Sequence, residues 1–244
     1  MLGDGLLADV ALDETGQNFD LGPERQALAD VACEGLRGRG QTVTANPIYR
    51  LMEHSAGERL RLRVDRGDYS QVVGTKGHPE WGIKAQVLAV CCCLQCPDGF
   101  LIEKRSARVA AAPGLWHIAP SGSLQPPNGV LTTLLTEAEE ELGLANEEVE
   151  EMRCVGLLYG EDSGVYQLAC SARTEVPFHE ILSRPRSGAW EQDGFTLAPV
   201  DPDSLPLWMA ETPLLTPGAR AVLLAEGLRR WGSEWFERWC EDKE

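Results

Sequence analysis

The sequence of 244 residues predicts a mixed α/β fold. Three observations carry that expectation. From about residue 85, short runs with strand texture alternate with segments of helical periodicity, the pattern of a sheet covered by helices. The run Ala85 to Leu94 (AQVLAVCCCL) is apolar almost throughout and reads as a buried strand. Asn128 to Leu142 repeats its leucines at helical spacing and is closed by Gly143. An apolar content of 43% with 25% charged residues is ordinary globular composition and excludes a disordered or collagen-like chain.

In chain order, Pro23 to Leu36 reads as a helix with Leu28, Val31, Ala32 and Leu36 on one face, ended by Gly38 and Gly40. Pro47 to Met52 and Arg59 to Val64 read as strands joined by a turn containing Ser55 and Gly57. In the second, Leu60, Leu62 and Val64 alternate with Arg59, Arg61 and Arg63. Asp68 to Thr75 and a loop with Gly77, Pro79 and Gly82 follow. On residues alone, Arg59 to Thr75 is an amphipathic strand and turn that caps the sheet. Gln86 to Gln95 and Gly99 to Lys104 are strands joined by a Pro97-Asp98-Gly99 turn. Pro113 to Asn128 is a Pro/Gly-rich loop. After the helix to Leu142 come strands at Arg153 to Tyr159, Val165 to Ser171 and Phe195 to Ala198. Pro217 to Trp231 is an amphipathic helix, and Trp235, Phe236 and Trp239 form an aromatic tail behind it. The expected organisation is an N-terminal extension, residues 1–84, packed on a domain at 85–244.

Charge and cysteines narrow the function. The formal net charge is −16. Such a surface repels phosphate backbones and argues against a nucleic-acid partner, though one small phosphorylated ligand needs only a local site. No stretch reaches the ~18 apolar residues of a membrane span. Met1 to Glu14 has no basic leader, so a cytoplasmic chain with reduced thiols is expected. Cys93 and Cys96 have CxxC spacing, but no second pair follows to complete a zinc site, and Cys91-Cys92-Cys93 fits a buried strand better.

The chemistry is concentrated in Gly122 to Leu144 (GSLQPPNGVLTTLLTEAEEELGL). Leu131, Leu134, Leu135, Ala138 and Leu142 make one buried stripe of the helix. Glu137, Glu140 and Glu141 fall at i, i+3 and i+4 and share a second face, whereas Glu139 points elsewhere. Like charges at this spacing repel, and a hard divalent cation such as Mg²⁺ or Mn²⁺ removes the repulsion. A solvated acidic face is the plainer account of the trio on its own.

This stretch resembles the Nudix box, G-x5-E-x7-R-E-U-x-E-E-x-G-U, with U aliphatic. Gly122, Glu137, Ala138, Glu140, Glu141, Gly143 and Leu144 stand at the matching positions without a gap. Asn128 replaces the first glutamate and Thr136 the arginine. Leu101 to Gly122 also resembles the family's lead-in, with its PGLW and Pro-x-Gly turn. The resemblance implies a Nudix α/β/α sandwich with a mixed sheet, and an N-terminal extension walling the substrate pocket. It implies a metal-dependent hydrolase of a nucleoside diphosphate linked to another moiety. Mg²⁺, or Mn²⁺, would be held by Glu137, Glu140, Glu141 and the Gly122 carbonyl, and a carboxylate would act as base. Candidate bases downstream are Glu161, Asp162, Glu191 and Asp193. Lys104, Arg105 and Arg108 in the lead-in are placed to meet phosphates, and His117 to face the pocket. The two departures fall on supporting groups, whose loss typically weakens such a site ~10–100-fold. A box reduced to a binding or sensing module is the alternative. Arg59 to Thr75 (RLRLRVDRGDYSQVVGT) is similar to the LRL…DY…GT region of the Nudix UDP-sugar diphosphatases. That similarity implies UDP-glucose or UDP-galactose as substrate, with UMP and a sugar 1-phosphate as products.

Overall fold

The computed structural model describes residues 5–7, 10–43 and 46–240, so part of the N-terminal stretch examined for a leader lies outside the described residues. The strands are β1 (Gly5–Leu6), β2 (Val10–Asn18), β3 (Pro47–Ser55), β4 (Leu60–Asp68), β5 (Val87–Cys96), β6 (Gly99–Arg105), β7 (Trp116–Ile118), β8 (Ser121–Ser123), β9 (Glu150–Gly160), β10 (Val165–Arg173) and β11 (Gln192–Ala198). The helices are α1 (Pro23–Gly38), α2 (Tyr69–Gly77), α3 (Val130–Leu142), α4 (Phe178–Ser183), α5 (Ser204–Glu211), α6 (Pro217–Trp231) and α7 (Ser233–Cys240).

Among the described residues the strands form one mixed sheet, in the order β1-β9-β10-β5-β3-β4-β2, with β6, β7, β8 and β11 branching from β5 and β6. β5 is its axis. It runs parallel to β10 from Val87 to Gln95. Its other edge is shared by β3 at Val87, β8 at Ala89 to Cys91 and β6 at Gln95 to Cys96. A strand so placed is buried on both faces, which its apolar run allows. On one face Leu88, Val90, Cys92 and Leu94 pack with Leu134, Ala138 and Leu142 of α3. On the other, Cys91 and Cys93 pack with Ala219, Val222 and Leu223 of α6. Helices therefore cover both faces, giving the expected α/β/α layering. Each fully buried leucine contributes about 2 kcal/mol. Burial pushes the Cys91 thiol up to about 12, so it behaves as a small core hydrophobe.

Several local expectations need correction. In α1, Leu28 and Val31 are 45% and 64% exposed, and the inward face is Ala29 and Cys33 instead. Asp68 to Thr75 is not a turn. It carries helix α2, capped by the Asp68 carboxylate on the Ser70 amide and by Gln71 Oε1 accepting from the Asp68 amide. The helix expected from Asn128 starts at Val130, with Gly129 at its N-cap and no side chain capping it. Trp235 of the aromatic tail is buried and its indole N–H donates to the Pro202 carbonyl, so α7 packs inward. β4 alternates as read, with Leu60, Leu62 and Val64 inside and Arg61 and Arg63 outside. No helix among the described residues is long and apolar enough to cross a membrane.

Candidate active site

Four pieces of chain build an acidic cluster between β6 and α3. β6 contributes Glu103 and Arg105, two residues apart and so on one face. α3 contributes Glu137 and Glu141, one turn apart. β8 contributes Ser121 and Gly122, held against β5 by pairing with Cys91 and Val90. The short 3-10 turn Ala189–Glu191 contributes Glu191. That turn is docked on α3 by the Gly188 amide, which donates to the Glu140 carbonyl at 2.9 Å, and on the lead-in by the Ser106 amide, which donates to the Glu191 carbonyl at 2.7 Å.

Each carboxylate is placed by a specific contact. The Ser121 amide donates to Glu141 Oε2 at 3.0 Å. Glu137 lies directly on Gly122, where an added Cβ would come within 1.8 Å of Glu137 Oε1. Glycine is what lets the carboxylate reach the strand. Arg105 Nη1 donates to Glu103 Oε1 at 3.0 Å, and Arg105 Nε donates to the Ala111 carbonyl at 2.9 Å, which ties the guanidinium to the lead-in loop.

The electrostatics follow from this packing. Burial, and then repulsion from Glu140, Glu191 and Glu103, pushes the Glu137 carboxyl up to about 8. Glu103 is pushed up to about 7 by burial, with Glu191 adding to the rise and Arg105 and a hydrogen bond with the Gln192 side chain opposing it. Glu141 is raised well above the ordinary range by burial and by Glu103 and Glu137. Glu191 is raised by burial and by Glu140, with Arg105 opposing. Arg105 is the cation that tempers all four. A cluster with this charge deficit holds protons near neutrality or takes up a cation.

The residues singled out from sequence separate clearly. Glu137, Glu141, Gly122, Arg105 and Glu191 come together. Glu140 stands at the exposed rim, close enough to raise Glu137. Thr136, in the arginine's place, is exposed. Arg108 is exposed nearby, its Nη2 donating to the Trp190 carbonyl at 3.1 Å. Lys104 is on the opposite face of β6, its ammonium 6.0 Å from the Trp116 ring. His117 is turned into the core rather than towards a pocket. Its Nδ1 meets Thr216 Oγ1 at 2.6 Å and its Nε2 meets Cys91 Sγ at 3.8 Å. Burial, then Arg105, lowers it to about 3, so it is neutral. Glu161, Asp162 and Asp193 are exposed. The sequence reading passed over Glu103, although an acid following Leu101 at period two on an inward strand face was a usable signal. The extension borders the cluster. The Thr42 amide donates to the Arg108 carbonyl at 2.7 Å, and Tyr69 of α2 feels both Arg105 and Glu191.

A divalent cation fits this donor set in three respects. The donors are hard carboxylate oxygens, one guanidinium faces several carboxylates, and Gly122 leaves the cradle that Glu137 fills. Among the described residues no group of three or more His, Cys, Asp or Glu side chains is arranged to hold a metal ion.

No protein-family model and no curated protein matches the chain. Among solved structures it is similar to a Nudix hydrolase from Nitrosomonas europaea, with 14% identity, 59% of this chain and 90% of that one covered, and a TM-score of 0.45. It is similar to a MutT protein from Methanosarcina mazei, with 16% identity, 65% and 96% covered, and a TM-score of 0.42. It is also similar to an Ap4A hydrolase from C. elegans, with 14% identity, 59% and 94% covered, and a TM-score of 0.38. With likenesses this distant, the functional reading is carried by the side chains of the site.

Proposed function

We propose that this chain is a Nudix-type, Mg²⁺- or Mn²⁺-dependent hydrolase of a nucleoside diphosphate linked to another moiety. The observation that carries the reading is the convergence of Glu137, Glu141 and Gly122 at the box spacing on one buried, charge-deficient cluster. Glu137 and Glu141 would hold the cation with the Gly122 carbonyl, and Glu140 would join from the rim. When bound, the cation supplies neutralisation of the diphosphate and activation of water. The chain's own groups do the positioning. Ser121 N–H fixes the orientation of Glu141, and the lead-in loop fixes Arg105. Glu191, at the edge of the cluster with a raised carboxyl, would accept a proton from the attacking water. Arg108, exposed beside the cluster, would meet a second phosphate.

The finer reading is a UDP-hexose substrate, cleaved to UMP and sugar 1-phosphate. It rests on the Arg59 to Thr75 similarity, and the extension, which meets the lead-in at Thr42, would wall the pocket. The lack of a nucleic-acid partner belongs to the same reading, from the net charge of −16.

A panel of UDP-glucose, UDP-galactose, ADP-ribose, NADH and 8-oxo-dGTP, assayed with Mg²⁺ and with chelator, tests it. The expected result is Mg²⁺-dependent UMP release from a UDP-hexose, lost by at least about 100-fold in Glu141→Gln and retained in Glu139→Gln. Turnover of another member alone removes the UDP-hexose assignment and keeps the hydrolase. Equal loss in both variants removes the site. If nothing turns over and a UDP-hexose raises Tm, the domain is a sensor.

A further inference from the structure

We propose that Trp190 is the stacking platform for the planar base of the nucleotide this site takes. The proposal rests on the nucleoside-diphosphate reading above and adds the residue that would meet the base.

The turn that bears Trp190 is held from two sides. The Gly188 amide donates to the Glu140 carbonyl of α3 at 2.9 Å, and the Glu191 amide donates to the Gly188 carbonyl at 2.9 Å. A Cβ at 188 would lie 2.9 Å from that Glu140 oxygen, so a side chain there would push the turn off the box helix. On the other side the Ser106 amide donates to the Glu191 carbonyl at 2.7 Å, and Arg108 Nη2 donates to the carbonyl of Trp190 itself at 3.1 Å. Two residues on, Gln192 enters β11 opposite Arg105. Backbone contacts therefore fix Trp190 between the box helix and the lead-in, beside the carboxylates.

Its side chain has no partner of its own. Trp116, Trp208 and Trp231 are half-buried as Trp190 is, and all three pack on the α6-side core, while Trp81 stacks on His78 at 4.5 Å. Among the described residues the Trp190 ring joins no hydrophobic cluster, no ring pair and no cation, and its indole N–H meets no acceptor. The plain alternative is a lone surface hydrophobe, which is ordinary. Such a ring needs no support tied at both ends. A binding platform gains from one, because a ring on an ordered backbone loses less freedom when a ligand lies on it.

What lies on it is set by shape and by its neighbour. An indole face is flat and apolar and takes another flat ring. Arg108, exposed and bonded to the Trp190 carbonyl, offers a guanidinium to a phosphate one side chain's length away. A nucleotide separates its base from its phosphate by one ribose, so both groups are met together. An apolar peptide would use the ring and leave the guanidinium idle.

The test uses the full-length protein with Mg²⁺ and calorimetric titration of UMP, AMP and ribose 5-phosphate into the parent, Trp190→Leu and Trp190→Phe. The expected result is a nucleotide dissociation constant raised at least about fivefold in Trp190→Leu and held within about twofold in Trp190→Phe, which keeps a ring. Ribose 5-phosphate, which lacks the base, is expected to behave alike in all three. Nucleotide affinity in Trp190→Leu equal to the parent's, or an equal loss for ribose 5-phosphate, overturns the proposal and leaves the hydrolase reading standing. If the parent binds neither nucleotide, the nucleotide reading falls and this assignment with it. Should Trp190→Leu fail to fold, tryptophan emission decides: a stacked base quenches it in the parent, and that quenching is expected to be lost in Trp190→Phe. Equal quenching in both overturns the proposal.

Discussion

At the scale of single residues, the decisive contact is a glycine under a carboxylate. An alanine at 122 would put its Cβ 1.8 Å from Glu137 Oε1, an atom at the free end of a flexible side chain. The three nearest atoms all belong to the Glu137 side chain, Cγ at 2.8 Å included, so the whole side chain must swing aside. Gly122→Ala is therefore expected to keep Tm within about 2–3 °C, since the change is relieved by rotation rather than by repacking. Mn²⁺ affinity is expected to drop by at least about tenfold. Calorimetric titration beside a melt checks both, and a variant that binds Mn²⁺ as the parent does would remove Glu137 from the ligand set. Gly122, Glu137 and Glu141 were legible because their spacing is a helix-and-turn geometry written directly into the sequence. Glu103 was not, because Glu103-Lys104-Arg105 looks like a charged strand end. Only the sheet shows that alternate members face opposite layers, with Lys104 on the Trp116 side.

At the scale of elements, α1 and α2 show how packing distance outranks hydrophobicity. Periodicity selects Leu28 and Val31 for the inward face of α1, yet they lie outside. The two helices meet at Ala29 and Gly74, where a Cβ on the glycine would lie 2.3 Å from Ala29 Cβ and 2.8 Å from Ala29 Cα. Two backbones can approach this closely only on small side chains, so the small face turns inward and the large residues are left out. Gly74→Ala is expected to cost about 1–3 kcal/mol by forcing the helices apart. Ala29→Gly in the same chain is expected to recover part of it, because the two sites share one contact. Denaturant titration of the two singles and the double decides, and additive losses would mean that the helices do not touch there. By contrast α6 was read to the residue, Pro217 to Trp231, because Thr216 caps it through the Ala219 amide and its apolar residues keep one period. α4 and α5, of six and eight residues, are too short for a period to register.

At the scale of the whole molecule, the acidic cluster and the buried histidine make stability depend on pH in opposite directions. Glu137, ordinarily at 4.5, stands at about 8 in the fold, so the fold favours its protonated form. Its contribution is complete below 4.5 and is lost as pH rises through 8. Glu103, at about 7, acts in the same sense. His117, ordinarily at 6.5, stands at about 3, so its contribution is present above 6.5 and lost as pH falls towards 3. Between about pH 6.5 and pH 8 only the carboxylates change, and the metal-free protein is expected to lose stability as pH rises. Mn²⁺ is expected to oppose that loss increasingly with pH, since its ligands must be deprotonated. Melts of stripped and Mn²⁺-loaded protein across this window would show the two curves diverging. A metal-free Tm that rises with pH would mean that the cluster is ionised without help. None of this was visible in a net charge of −16, which sums the chain without saying which acids are buried together.

One strand edge carries three dependants. β3 of the extension, β8 with Gly122 and β6 with Glu103 and Arg105 all pair along β5. A residue inserted into or removed from β5 would slip the register of all three at once, so changes of length are confined to the loops that leave it.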